Sequence, residues 1–173
     1  MTYILKSYAG IGSRKVDHKT GQVMTEIATF LSQHGYILNS GGASGSDDYF
    51  EKGAPPEMRK IYLPWNGFQG KYVNGRDYII PPENLDLVNK YHPKPNSLSS
   101  KAKLLMSRNS YQVLGDNLDV TSKVNFVLCW TQDGGISGGT GQAMRIANDY
   151  GIPVFNLNGN MDGFKFYVET FIL

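Results

Sequence analysis

The sequence predicts a single α/β domain built on a mostly parallel sheet with helices on both faces. Three observations carry that expectation. Strand-length apolar runs alternate with stretches of helical periodicity along most of the 173 residues, the pattern of parallel strands joined by crossover helices. One run, Val124-Asn125-Phe126-Val127-Leu128-Cys129-Trp130, is nearly all apolar, as a strand covered on both faces is. Finally, the chain holds 20 glycines, well above the usual ~7%, and many cluster directly after the predicted strands. Glycine weakens helices and strands, so an excess belongs in loops that need positive φ or close backbone approach.

Each element has its own signal. Residues 3–9, Tyr-Ile-Leu-Lys-Ser-Tyr-Ala, read as a first strand stopped by Gly10-Ile11-Gly12. A helix over 21–34 follows from Val23/Met24, Ile27/Ala28 and Phe30/Leu31 at helical spacing, with Gly35 placed as its C-terminal cap. Residues 36–39 form a second strand, residues 47–52 a short helix, and Lys60-Ile61-Tyr62-Leu63 a third strand. Residues 64–97 break the rhythm with five prolines and the aromatics Trp65, Phe68, Tyr72, Tyr78 and Tyr91; so long an aperiodic stretch is expected to be a lid or a packed excursion. Alternation resumes with a helix over 99–114, the strand over 124–130, a glycine-rich loop over 131–141 and a helix over 142–149. A last strand at 152–156 and a closing helix at 161–171 complete the chain. No repeat or internal boundary interrupts residues 1–173, so one Rossmann-like domain is expected.

Composition excludes several classes. No apolar run approaches the roughly 20 residues that span a bilayer, and the first ten residues lack the basic start and apolar stretch of a signal peptide. The single cysteine, Cys129, can form no internal disulfide, which fits a reducing cytoplasm. The net charge of +2 comes without Lys/Arg blocks, so no strong nucleic-acid footprint is present. His18, His34 and His92 show no metal-ligand spacing, and neither metal nor cofactor is required.

The three glycine-rich loops carry the chemistry. In open α/β sheets ligands bind beyond the carboxyl ends of strands, where unpaired N–H groups at helix starts favour negative charge. The segments are Gly10-Ile11-Gly12-Ser13-Arg14, Ser40-Gly41-Gly42-Ala43-Ser44-Gly45-Ser46-Asp47, and Gly134-Gly135-Ile136-Ser137-Gly138-Gly139-Thr140-Gly141. Each follows a predicted strand and precedes a helix. Phosphates are therefore expected on residues 12–14, 41–46 and 138–142, the last including Gln142. Arg14 and Arg108, the latter with Asn109 on the helix before the 124–130 strand, are the candidate cations. Ser44, Ser46 and Ser137 have no local histidine as a base and read as phosphate donors.

Together, Gly-Ser-Arg at 12–14, Ser-Gly-Gly-Ala-x-Gly-x-Asp at 40–47 and Gly-Gly-Thr-Gly at 138–141 resemble the SLOG superfamily, which includes DNA-processing protein A (DprA/Smf) and the Lonely-guy (LOG) phosphoribohydrolases. Ile61-Tyr62-Leu63-Pro64-Trp65, Arg108-Asn109 and Cys129-Trp130-Thr131 look most like short single-domain DprA-like proteins of bacteriophages. The resemblance spans about residues 3–157 and implies a Rossmann-like nucleotide-binding core, often oligomeric. Lonely-guy enzymes carry a glutamate where this chain has Arg145, and a threonine where it has Gln142. Asp47 and Glu51 remain the nearest carboxylates for N-glycosidic cleavage. The expected ligand is a small phosphate-bearing nucleotide, ADP-ribose-like molecule or cyclic nucleotide signal, sensed or sequestered. Single-strand DNA binding, as the DprA resemblance implies, is the first alternative, and nucleotide N-glycosidase activity the second.

Overall fold

The computed structural model describes residues 5–173, and strand and helix alternate along them. Strand β1 (Lys6–Gly12) leads through α1 (His18–Gln33) to β2 (Tyr36–Ser40), and α2 (Ser46–Gly53) leads to β3 (Arg59–Tyr62). The excursion holds β4 (Tyr78–Ile79) and α3 (Leu85–Tyr91), and α4 (Ser100–Leu114) leads to β5 (Phe126–Trp130). Helix α5 (Gly138–Asp149), β6 (Val154–Asn156) and α6 (Met161–Tyr167) follow, with a π-helical turn over Val168–Ile172 extending the last helix. The six strands form one sheet in the order β4-β3-β2-β1-β5-β6, and every pair is parallel. This is the α/β, Rossmann-like architecture expected from the sequence.

Side-chain alternation along the strands divides the core into two layers. Tyr8, Leu38, Phe126 and Leu128 pack on one face against Met24, Ala28 and Leu31 of α1, Phe50 of α2 and Phe164 of α6. Ala9, Ile11, Val127 and Cys129 face the other way, onto Val113 and Leu114 of α4 and Ala143, Met144, Ile146 and Ala147 of α5. Both faces of β5 are thus covered, which explains its nearly continuous apolar run. Phe126 is fully buried and touches five aromatic neighbours in its layer, Tyr8, Tyr36, Phe155, Phe164 and Tyr167; truncation to alanine there would cost about 3–5 kcal/mol.

Several bounds differ from the sequence expectation, each for a local reason. Residues 3 and 4 of the expected first strand lie outside the described residues. Within them, β1 runs on to Gly12, so Gly10 sits inside a strand rather than in a loop. A Cβ on Gly10 would lie 2.7 Å from Leu38 and 2.8 Å from Phe50, so this glycine lets α2 pack close to the sheet. Helix α1 starts earlier because Asp17 caps it, accepting from the Thr20 N–H at 2.9 Å. Helix α5 starts at Gly138, and the residues expected as loop, Gly138, Gly139, Thr140 and Gly141, form its first turn.

The excursion is packed onto the sheet. Ile61, Leu63, Ala43 and Phe68 make a third apolar cluster, flanked by Trp65, Tyr78 and Leu105. Arg59 pairs with the buried Asp77 at 2.8 Å, and Asn74 Oδ1 accepts from the backbone of Arg76, Asp77 and Tyr78. No helix among the described residues is long and apolar enough to cross a membrane.

Strand order places the site. The sheet grows outward from β1 through β2 and β3 to β4, then the chain returns to set β5 on the other side of β1. Loops leaving β1 and β5 therefore diverge onto opposite faces, opening a crevice at their carboxyl ends.

Candidate functional site

The crevice is a cleft of about 510 Å³ bordered by residues 11–14, by Ala43 and Asp47, by Leu105, Met106, Arg108, Asn109 and Gln112 of α4, and by Thr131, Gln132 and Ser137–Thr140. That volume lies within the range of small-molecule sites. Its first wall is the loop after β1. The Ser13 N–H donates to the Trp130 carbonyl at 2.9 Å, and the Ser13 carbonyl accepts from the Ser46 N–H at 3.1 Å and Ser46 Oγ at 2.8 Å. Gly45 passes beneath this loop at φ +83, where a Cβ would lie 2.2 Å from the Arg14 carbonyl oxygen. The loop is thus clamped, while the exposed Arg14 guanidinium at the cleft has no hydrogen bond or ion pair among the described residues.

The opposite wall is the N-terminus of α5. Gly141 N–H closes the first turn on the Ser137 carbonyl at 2.9 Å. The N–H groups of Gly138, Gly139 and Thr140 find no partner among the described residues, as the start of a helix requires. Ser137, the cap residue, gives no side-chain cap and turns its Oγ to Asp133 at 3.1 Å. Asn109 Nδ2 donates to the Gly139 carbonyl at 3.0 Å and ties this turn to α4. Three N–H groups unpaired among the described residues thus stand at the positive end of a helix dipole, on a cleft that Arg14 also borders.

The second glycine loop is arranged otherwise. Ser40 Oγ donates to the Gly10 carbonyl at 2.6 Å, Gly41 O accepts from Arg108, and Gly42 O accepts from Lys71 Nζ at 2.9 Å. Asp47 Oδ2 accepts from the Ala43 N–H at 3.3 Å. The negative charge at the start of α2 is therefore the protein's own. Of this loop only Ala43 and Asp47 border the cleft; Ser40, Gly41, Gly42, Ser44, Gly45 and Ser46 do not.

Asp47 and Arg108 dominate the cleft's electrostatics. Asp47 is 4% exposed, and burial pushes its carboxyl up to about 6 even against the attraction of Arg108. Burial likewise lowers Arg108 to about 10, opposed by Asp47 and reinforced by the nearby charge of Arg14. Part of the Arg108 guanidinium is bonded within the protein: Nη1 donates to Gly41 O and Tyr62 O, and Nε to Asn109 Oδ1 at 2.9 Å, while Nη2 has no partner among the described residues and Arg108 borders the cleft. Its charge is opposed by that of Asp47, whereas Arg14 has neither a hydrogen bond nor an ion pair among the described residues.

The remaining sequence candidates lie away from the cleft. Glu51 stands by Lys71 at 3.4 Å and accepts from Tyr78 Oη at 2.9 Å. Gln142 is fully buried and accepts from Arg145 at 3.0 Å, while Arg145 also donates to the Tyr91 carbonyl at 2.8 Å. Gly10 and Gly141 serve packing and helix geometry. Among the described residues, no group of three His, Cys, Asp or Glu side chains could hold a metal ion. Gln112, Leu105, Met106, Thr131 and Gln132 escaped sequence reasoning. One signal was present: Arg108, Asn109 and Gln112 recur at helical spacing, a polar stripe on a helix face that is otherwise expected to be apolar.

No family model matches this chain, and no curated protein does. Among solved structures it is similar to DNA processing protein A from Helicobacter pylori, a structure described for its mode of binding single-stranded DNA. The TM-score is 0.58 at 19% identity, over 96% of this chain and 73% of that one. The likeness is one of fold.

Proposed function

We propose that the cleft binds a phosphate-bearing nucleotide and holds its phosphate between the first turn of α5 and Arg14. One observation carries this reading. The unpaired N–H groups of Gly138, Gly139 and Thr140 open onto the same cleft as an arginine with no partner among the described residues. A phosphate supplies what both lack, acceptor oxygens and negative charge, and its contact with Arg14 is charge-assisted. The rest of the cleft offers room for a sugar and base.

A second reading makes the occupant one unit of a DNA strand rather than a free nucleotide. The likeness to DNA processing protein A of Helicobacter pylori favours it more directly than it favours the first, and exposed Lys15 beside Arg14 would extend the contact to a neighbouring phosphate. Against it stand the net charge of +2 and the nucleotide-sized cleft.

Salt separates the two. Binding of a single strand releases counterions, with a log–log slope of about −0.7 per phosphate neutralised. A nucleotide held by backbone N–H groups and a buried base depends less on salt. The test is a paired titration at low and near-physiological salt, with a nucleotide panel by calorimetry and fluorescent oligo-dT by anisotropy. Nucleotide affinity is expected to persist, with Arg14→Ala weakening it by about 1.5–3 kcal/mol, and oligo-dT binding to fade. Tight oligo-dT binding at physiological salt without nucleotide heat would establish the second reading instead. Unchanged affinity in a folded Arg14→Ala protein would remove Arg14 from the site.

A further inference from the structure

Two polar atoms at the inner end of the cleft have no partner in the protein. Arg108 is 5% exposed and Asp47 4%, and both border the cleft. Arg108 Nη1 and Nε are bonded as described, and Asp47 Oδ2 accepts from the Ala43 N–H. Arg108 Nη2 and Asp47 Oδ1 have no hydrogen-bond partner among the described residues. Neither is sealed in, unlike the unpartnered Ser110 Oγ on the same helix as Arg108, so both are reached from the cleft. Each such group costs about 1–3 kcal/mol in a buried site unless something meets it.

Charge narrows what can meet them both. Asp47 and Arg108 attract one another yet form no ion pair, so a free donor and a free acceptor stand near each other without closing. A second phosphate placed there would face the Asp47 carboxylate, which with its carboxyl at about 6 is ionised at neutral pH. An ammonium group would face Arg108 and Arg14, whose charge already acts on Arg108. An apolar group would leave both atoms unpaired. A hydroxyl suits both, because it donates one hydrogen bond and accepts others. Gln112, 3% exposed on the same wall, adds an amide that meets a hydroxyl by either end. Towards solvent the cleft changes character, since Arg14 and the first turn of α5 supply donors.

We infer that Asp47 and Arg108 hold the vicinal hydroxyls of a ribose, so that the cleft takes ribonucleotides in preference to deoxynucleotides. One hydroxyl donates to Asp47 Oδ1 and its neighbour accepts from Arg108 Nη2, both bonds being charge-assisted. The order of the groups agrees with a nucleotide, whose ribose follows its phosphate as the inner pair follows the outer donors. A ligand lacking one hydroxyl leaves a buried charged group unpaired, which is how a polar site rejects an analogue of nearly the same shape. A unit inside a DNA strand brings neither hydroxyl, because it has no 2′ oxygen substituent and its 3′ oxygen is esterified. The same pair therefore disfavours a DNA strand as the occupant.

This inference rests on the phosphate reading above, and a series of sugars keeps the two apart. Binding of ribose 5-phosphate, AMP, 2′-deoxy-AMP and 3′-deoxy-AMP is measured by calorimetry at pH 7.5. Each deoxy ligand is expected to bind weaker than AMP by about tenfold or more, the loss of one hydrogen bond to a charged group. Asp47→Ala removes one partner of the diol and should bring one of the two ratios down to about threefold or less. Asp47→Asn keeps an acceptor without the charge and should leave that ratio between the two; it decides the matter if the alanine protein does not fold. If none of the four ligands binds, the phosphate reading falls and this inference with it. If AMP and both deoxy ligands bind equally, only the hydroxyl assignment is overturned. Ratios unchanged from wild type in folded Asp47→Ala, or in Asp47→Asn where it alone folds, would overturn that assignment as well.

Discussion

Asp47 shows how a single side chain can be kept at the expense of stability. Its carboxyl rises from 3.8 to about 6 on folding, so the folded chain holds the proton more tightly than the unfolded chain. The stability this contributes is complete below the unfolded value of 3.8 and is lost as pH climbs through about 6. A shift of that size corresponds to about 3 kcal/mol at 1.36 kcal/mol per unit. Asp47→Asn should therefore be more stable than wild type above pH 6, by up to about 3 kcal/mol, with the gap closing towards pH 4. Urea unfolding of both proteins from pH 4 to pH 8 measures this, and a gap that does not vary with pH would show that Asp47 titrates as an ordinary carboxylate. Residues held against their own ionisation concentrate at functional sites, which agrees with a place on the cleft wall. Asp47 was legible as a site candidate because it closes a glycine loop, and Arg108 and Asn109 because they sit on the helix before the 124–130 strand. Gln112 was not singled out, although its helical spacing from Arg108 and Asn109 marked the same helix face.

At the scale of elements, the glycine loops were found where they were expected but do different work. The third becomes the first turn of α5, because glycines after a strand are compatible with both a loop and a helix start. The second is bound up by its own Asp47 and by Arg108 and Lys71, long-range partners that a local pattern does not reveal. Gly45 illustrates its role: the backbone at φ +83 passes so close to Arg14 that any side chain would displace the loop above it. Gly35 has nearly the same φ, +81, with nothing within 4 Å. Alanine at Gly35 should cost only the left-handed strain, roughly 1–2 kcal/mol. Alanine at Gly45 should cost more than that and also weaken nucleotide binding by moving Arg14. Thermal melts and calorimetry on the two variants test the difference; equal losses of stability with nucleotide affinity intact would mean that the clash is relieved without moving the loop. The excursion was the least legible region. Its proline and aromatic content conceals β4 and α3, because two residues make that strand and its partner β3 lies across a long turn.

For the whole molecule, the alternating pattern was enough to anticipate the parallel sheet, since strand–helix repetition admits few other packings. How residues 64–97 are attached to it was not anticipated. Lys71 reaches from the excursion to the Gly42 carbonyl at 2.9 Å, Asp48 at 2.5 Å and Glu51 at 3.4 Å. Lys71→Met should loosen this segment while leaving the sheet intact, seen as faster chymotryptic cleavage after Trp65, Phe68 or Tyr72 with little change in far-ultraviolet dichroism. An unchanged cleavage pattern would place the anchorage with Arg59 and Asp77 instead. The strand order also has a consequence for how the chain is made. β1 is emitted first, yet one of its two neighbours is β5, and the Ser7 N–H meets the Asn125 side chain across 118 positions. A growing polypeptide must therefore keep one edge of its central strand bare until β5 has been made, a non-local closure that slows folding and lengthens exposure to misassembly. Because the cleft is framed by the loops of these same two strands, it comes into being only when β5 closes on β1, and a ligand retained there reports that closure.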